Sequence, residues 1–359
     1  VACVSHANRG LLARLQRQAT LDHLTDGRIG WNVVTSYSES AAKNLGAGQQ
    51  RAHDDRYAVA EEFIEVAMKL WESSWEDGAV VADPTTSTYV DPQRVHEIDH
   101  SGTHFTVPGI ALCEPSPQRT PVIFQAGGSS RGVALAASTA EAVFMNATSK
   151  AGLKKQVDVL RAKAVEAGRD PSHLAVLQMI TVISAATDAE AQAKYEEYRQ
   201  LVDYEGAMAR YSGWSGLDMS TFDPDVPLRN VKTNAGQTMV DIFSKMDPDK
   251  EWTPRDIAEY VGIGGTAPVI VGGPETVAAE LASWVEETGI DGFNVAHAIK
   301  YQDVKDFADF VVPELQARGL MRSSYAGSTL RENVFGAGQV RLAEDHPGAK
   351  YRTALSTQA

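Results

Sequence analysis

The chain has 359 residues, with 43% hydrophobic and 22% charged, which suits one large α/β domain or two small ones. Lys and Arg number 33 against 47 Asp and Glu, for a formal net charge of -14, so the chain lacks the basic surface that phosphate neutralisation requires and is not expected to bind nucleic acid. No apolar run approaches the ~18 residues of a membrane helix, no signal-peptide pattern opens the chain, and two distant cysteines, Cys3 and Cys113, fit a reduced cytoplasmic setting.

Strand-like and helix-like segments alternate, the pattern of a parallel sheet with crossover helices. Val1 to Ser5 reads as a strand already inside a domain, Leu11 to Leu24 as a helix stopped by Thr25-Asp26-Gly27, and Arg28 to Val34 as a second strand. Asp54 or Asp55 is expected to cap a long helix to about Trp75, with Phe63, Val66, Ala67 and Leu70 on one face. Residues 79–119 break the rhythm as an insertion, with a hairpin from Val95 to Val107 turning at Ser101-Gly102. Pro121 to Ala126 and Ala140 to Asn146 are strands around a short helix, Val133 to Thr139; Leu153 to Ala167 is helical. Leu174 to Ser184 is a strand and Asp188 to Tyr211 a single long helix. Residues 212–254 are irregular and polar, a second insertion and a candidate lid. Pro268 to Gly272, a helix from Pro274 to Thr288, a strand from Gly292 to His297 and a helix from Val304 to Arg318 complete the pattern. Residues 1–320 thus form the main domain, and residues 321–359 a tail without clear periodicity. These elements fit part of a (β/α)8 barrel or a doubly wound sheet.

The chemistry is expected at strand C-termini. Gln125-Ala126-Gly127-Gly128-Ser129-Ser130-Arg131-Gly132 runs from a buried strand through a Gly/Ser turn into a helix, which offers backbone N–H groups, two hydroxyls and a helix N-terminus to a phosphate. Ser129 or Ser130 equally serves as a plain N-cap. The same stretch contains Gly128-x-Ser130-x-Gly132, the spacing of a hydrolase nucleophile elbow, with His297 as the base of that alternative. His53 and Tyr57, four apart at a helix start, share a face that suits the same phosphate or plain solvation. His96, His100 and His104 have metal-like spacing, but the Ser101-Gly102 turn makes them hairpin residues instead of a metal cluster. Trp71 and Trp75 read as core or helix surface, and Gly262-Gly264-Gly265 lacks the strand-first order of a dinucleotide fingerprint.

Thr20-Leu21-Asp22-His23-Leu24, Gly27-Arg28-Ile29-Gly30-Trp31-Asn32-Val33-Val34-Thr35-Ser36, Lys43-Asn44-Leu45-Gly46, His53-Asp54-Asp55-Arg56-Tyr57, Val95 to Gly102 and Asp291-Gly292-Phe293-Asn294 together resemble the bacterial-luciferase-like flavin monooxygenases. The likeness is to the group with nitrilotriacetate, dibenzothiophene-sulfone, dimethyl-sulfide and long-chain alkane monooxygenases, and it runs from about Ser5 to Arg352. It implies a (β/α)8 barrel with insertions, here N-terminally truncated and lacking its first strands. It also implies reduced FMN as a diffusible cosubstrate, O2, a separate NAD(P)H-dependent flavin reductase and a dimer or tetramer. By the same resemblance the FMN contacts fall on Ser36, Tyr57, Ala126 and Ser129, with His53 beside them; Ser130 joins the phosphate and Asn32 lies near the isoalloxazine. Tyr37, Arg210 and His297 are the expected substrate-side residues. The alkane-type members carry pocket histidines where Tyr37 and Arg210 stand, and a guanidinium there would favour a polar or anionic substrate. A flavin-binding protein without turnover is the third reading.

Overall fold

In the computed structural model the described residues are 10–36, 38–228, 240–243 and 250–353. Residues 1–5, expected as a strand, and Tyr37 lie outside them.

A parallel sheet of six strands among the described residues organises the molecule: β1 (Gly30–Val33), β6 (Val122–Gln125), β7 (Ala142–Met145), β8 (Ala175–Ser184), β9 (Val269–Gly272) and β10 (Gly292–Ala296). Two hairpins precede β6, one of β2 (Val80–Asp83) with β3 (Thr88–Val90), the other of β4 (His100–Ser101) with β5 (Thr106–Val107). They fall within residues 79–119. In the sheet, β1 pairs β6, β6 pairs β7 and β7 pairs β8. The long β8 then takes β10 along Leu177 to Thr181 and β9 along Thr181 to Ser184. These strands are rich in β-branched and aromatic residues, which fit a pleated surface covered on at least one side.

Alternation sorts the strand residues into two faces. Trp31, Val33, Ile123, Val143, Met145, Val176, Ile180 and Val182 point toward the helices and form the main core. Helix α3 (His53–Met68) and the single π-helical turn, Lys69–Ser73, that continues it add Phe63, Ile64, Val66, Leu70 and Trp71 to it. Phe63 and Trp71 close on the Trp31 indole at 5.8 and 5.5 Å, so Trp71 is core. Burial of each such large side chain contributes ~1.5–3 kcal/mol. The opposite face carries Asn32, Phe124 and Phe144; the two phenyl rings stack at 5.2 Å.

Helices α1 (Leu11–Leu24), α4 (Ser130–Thr139) and α5 (Lys150–Glu166) match the sequence pattern, and a short helix α2 (Glu39–Asn44), capped by Ser38, adds to it. Asp54 and Asp55 do not cap α3, however. Ala52 is its N-cap, and the Asp54 carboxylate bonds the His53 ring at 2.8 Å. The single helix expected over 188–211 is two, α6 (Asp188–Gln200) and α7 (Tyr204–Ser215), because Asp203 caps a new helix through the Gly206 N–H. Helix therefore reaches into the segment read as irregular. Together with α8 (Pro254–Gly264), α7 builds a second apolar cluster around Tyr211, Phe243, Trp252 and Ile257. Residues 229–239 and 244–249 of the expected lid lie outside the described ones. Helices α9 (Pro274–Thr288), α10 (Gln302–Asp306) and α11 (Val312–Ala317) cover the rest of the sheet.

Part of the described tail is packed despite its lack of periodicity, with Thr329, Arg331, Leu342, His346 and Ala349 buried. Helix α12 (Leu330–Phe335) brings Arg331, 1% exposed, under the sheet. There its guanidinium takes both oxygens of Glu141 at 2.7 and 2.9 Å and the Thr120 carbonyl at 2.7 Å. The tail is held by a buried charge pair instead of an apolar stripe, so helical hydrophobic spacing does not show it.

Candidate active site

The turn after β6 is folded against the start of α3. Tyr57, one turn into α3 and 6% exposed, brings its hydroxyl to the Gly127–Gly132 loop. A Cβ at Gly127 would lie 2.9 Å from that oxygen and one at Gly132 2.8 Å from it. Only glycine lets the backbone approach so closely. Arg131, paired with Glu61 at 3.0 Å, ties α4 to α3 and is committed there. Ser129 is the α4 N-cap and accepts from the Gly132 N–H at 3.1 Å, so the capping role is real; its own hydroxyl hydrogen is left over for an anion. Ser130 and Ala126 are exposed beside it. Two helix N-termini, those of α3 and α4, thus meet at one turn, each biased toward negative charge. His53, at 5.0 Å from the Tyr57 ring, stands at the edge of this cluster.

Next to the turn, polar atoms are buried without partners. Gln125 Oε1, 3% exposed as a residue, is one; Asn32 Oδ1 on the inner face of β1 is another; Asn146 Oδ1 and Ser184 Oγ follow at the ends of β7 and β8. An unmet buried group costs ~1–3 kcal/mol; by alternation Asn32 and Asn146 lie on the inner face of the sheet, whereas Gln125 and Ser184 follow Ile123 and Val182 on the face toward the helices. Ser36, just past β1, is held at φ +59, a left-handed backbone that a non-glycine residue adopts at a cost. Sequence reasoning singled out Asn32, Ser36, Tyr57 and Ser129, and the structure gathers them at the C-terminal edge of β1 and β6. It gave no role to Gln125, Asn146 or Ser184. Their signal was present in the sequence, as polar residues ending apolar strands.

Of the expected substrate-side residues, the described ones are Arg210 and His297. Arg210 is exposed on α7 with its guanidinium 4.7 Å from the Trp214 ring centre, so no free cation faces the sheet from that position. His297 is exposed just past β10, and Tyr37 lies outside the described residues. The hydrolase elbow fails on geometry. Ser130 sits in ordinary right-handed helix, without the positive φ of a strained nucleophile turn. The histidine hairpin binds its own fold. Glu62 accepts from the His104 and Phe105 N–H groups at 2.9 and 2.7 Å and meets His100 Nε2 at 3.3 Å, while His100 Nδ1 faces Lys69 Nζ at 3.0 Å. Burial pushes the Glu62 carboxyl up, but these hydrogen bonds outweigh it and hold the pKa below the usual value. Among the described residues no group of His, Cys, Asp and Glu could hold a metal ion. Among the same residues no helix is long and apolar enough to cross a membrane.

The family model described as luciferase-like monooxygenase matches residues 11–292. The dimethyl-sulfide monooxygenase of Hyphomicrobium sulfonivorans is 46% identical over 353 residues, spanning 98% of this chain and 73% of that protein. The long-chain alkane monooxygenase of Geobacillus thermodenitrificans is 44% identical over 341 residues, 95% of this chain and 73% of the relative. The crystal structure of a riboflavin lyase with modified FMN and riboflavin superposes with a TM-score of 0.88 at 38% identity, covering 95% of this chain and 75% of the other. An α/β fold on a parallel sheet, a mouth of unmet polar groups and these likenesses agree: the chain belongs to the luciferase-like monooxygenases, a flavin-dependent family.

Proposed function

We propose that this chain is the oxygenase component of a two-component system. It takes reduced FMN from a separate NAD(P)H-dependent flavin reductase, and with O2 it inserts one oxygen atom into a small organic substrate. The observation that carries this reading is the cradle at Gly127 and Gly132, where a tyrosine hydroxyl occupies the space of two side chains and a capped helix N-terminus opens outward. Ser129, Ser130 and Tyr57 hold the phosphate, with His53 at its edge, and Asn32, Ser36 and Ala126 border the ring. The flavin, when bound, supplies the oxygen chemistry; the protein orients it and keeps water out. On the substrate side the inner face offers Phe124, Phe144, Leu177 and Met179, while Arg210 is taken up by Trp214. That lining favours an apolar sulfide or alkane over a sulfone or an aminopolycarboxylate. The same reading carries homo-oligomeric assembly as a dimer or tetramer and a cytoplasmic location.

The test compares FMN with riboflavin, which differ in the phosphate. The wild type should bind FMN at least tenfold more tightly, and Ser129→Ala with Tyr57→Phe should abolish the preference. An unchanged preference in the double variant rejects the phosphate assignment. Turnover is read separately, as oxygenated product from dimethyl sulfide or a long-chain alkane with an added flavin reductase. FMN binding without product from either supports a flavin-binding protein instead. Labelling of Ser130 by a fluorophosphonate probe would revive the hydrolase reading.

A further inference from the structure

Asn146 directly follows β7 and continues the face of Phe144, so by alternation it belongs to the inner surface of the sheet. Its strand neighbours β6, whose end carries the Gly127–Ser129 turn, and paired strands lie only about 4.8 Å apart. The side chain is fixed from one side. Its Nδ2 donates to Thr266 Oγ1 at 2.6 Å, and Thr266, which is 7% exposed, sits on the segment joining α8 to β9. The other end, Oδ1, is buried and has no partner. The donors nearest in the chain are spent elsewhere. The Ala147 N–H goes to Gln178 Oε1 at 3.2 Å, and the Gln178 amide in turn donates to the Ala147 and Met179 carbonyls at 3.0 and 2.8 Å.

An oriented acceptor, buried and unpaired while both of these donors bond elsewhere, suits a donor that arrives with a ligand. A sulfide or an alkane carries no N–H or O–H. The flavin carries both, a ring N–H and the hydroxyls of its side chain. We propose that Asn146 is a cofactor-binding residue whose Oδ1 accepts a hydrogen bond from an N–H or O–H of the bound flavin, with Thr266 holding the carboxamide in that orientation. This rests on the reading of the chain as an FMN-dependent oxygenase.

The test uses the double variant Asn146→Leu/Thr266→Val, which removes both partners of the internal hydrogen bond together. Two quantities are measured on the full chain: the melting temperature without ligand and the FMN dissociation constant. The expected result is a ligand-free melting temperature equal to or above that of the wild type, because the unmet acceptor is gone, together with FMN binding at least tenfold weaker. A lower melting temperature with unchanged FMN affinity shows that the pair merely supports the fold, and overturns the proposal. Unchanged values of both also overturn it. A wild type that binds no FMN overturns the oxygenase reading itself, and the proposal with it. That failure is distinguishable, since it is seen before any variant is made.

Discussion

The two ends of the sheet treat polar groups in opposite ways. At the base, where strands begin, buried charges are matched: Arg331 with Glu141, the Gln118 amide with Asp22 at 2.7 Å, Thr120 with Glu72 at 2.6 Å, His346 with the Thr139 carbonyl at 2.8 Å. Single unpaired atoms occur there too, on Arg119 and Arg169 for example, but each belongs to a side chain anchored through another atom. At the mouth, among the described residues, no side-chain hydrogen bond anchors Asn32, Gln125 or Ser184 at all. A base whose polar side chains are each anchored by at least one hydrogen bond holds the chain together. A mouth with its polar groups unmet is left to be completed by a ligand. In barrels of this kind, function lies at the strand C-termini and stability at the other end, and here the hydrogen bonds alone draw that division.

The comparison breaks most visibly if the base is damaged. Arg331→Leu leaves Glu141 buried without its counter-charge and should cost ~3–5 kcal/mol, read as a large drop in the urea midpoint. FMN affinity of the protein that remains folded should not change. If the flavin site weakened in proportion, the two ends would not be independent.

A second base residue gives a pH signature. Burial lowers the His346 pKa to about 4, and the nearby Arg169 and Arg331 guanidiniums push the same way against Glu141. Both ring nitrogens are used in the neutral form, Nε2 donating to Thr139 and Nδ1 accepting from the Gly348 N–H at 3.1 Å. The unfolded chain therefore binds a proton near pH 6.5 that the folded chain refuses until about pH 4. Stability is full above pH 6.5 and falls as pH drops through that window, by about 3 kcal/mol at its lower end. His346→Gln should flatten that part of the stability profile in urea titrations at stepped pH, whereas Asn32 or Tyr57 variants should leave it intact.

At the mouth, steric fit comes next. Gly132→Ala places a methyl 2.8 Å from both the Tyr57 hydroxyl and the Gly127 carbonyl oxygen, and should destabilise by ~1–3 kcal/mol. Adding Tyr57→Phe should restore part of that loss, because one of the two contacts is removed. Melting temperatures of the two single variants and the pair measure it. No recovery would mean that the hydroxyl does not fill the turn.

How much of this was legible beforehand follows the same division. The mouth announces itself locally: an apolar strand, then Gly-Gly-Ser-Ser, then a helix, with His53 and Tyr57 spaced to meet it. Short-range rules suffice for such a site. The base is assembled from Asp22, Glu72, Glu141, Arg331 and His346, which are scattered across the sequence and carry no shared spacing, so the packed tail was read as patternless. The break at Leu201 to Asp203 was hidden because it holds no Gly or Pro to mark it. Asn146 stood in view as a strand-ending residue, but only the missing partner on its Oδ1 gives it a role, and sequence does not record missing partners.

The smallest expected effect tests the comparison most directly. Asn32 shows its Oδ1 buried and unmet on the inner face of β1, opposite Phe124 in register. Were it part of the fold's support, Asn32→Leu would destabilise like a broken base contact. If the mouth is instead a surface held open for a ligand, the change removes a penalty, and ligand-free stability should stay the same or rise by up to ~1 kcal/mol. FMN binding should weaken in the same variant. The opposite signs of the two effects matter more than their size, because a generally damaged protein loses both. Thermal unfolding without ligand, followed by FMN titration on the same preparation, reads both signs. A loss of stability greater than the loss of FMN binding would assign Asn32 to the scaffold and erase the distinction between the two ends of the sheet.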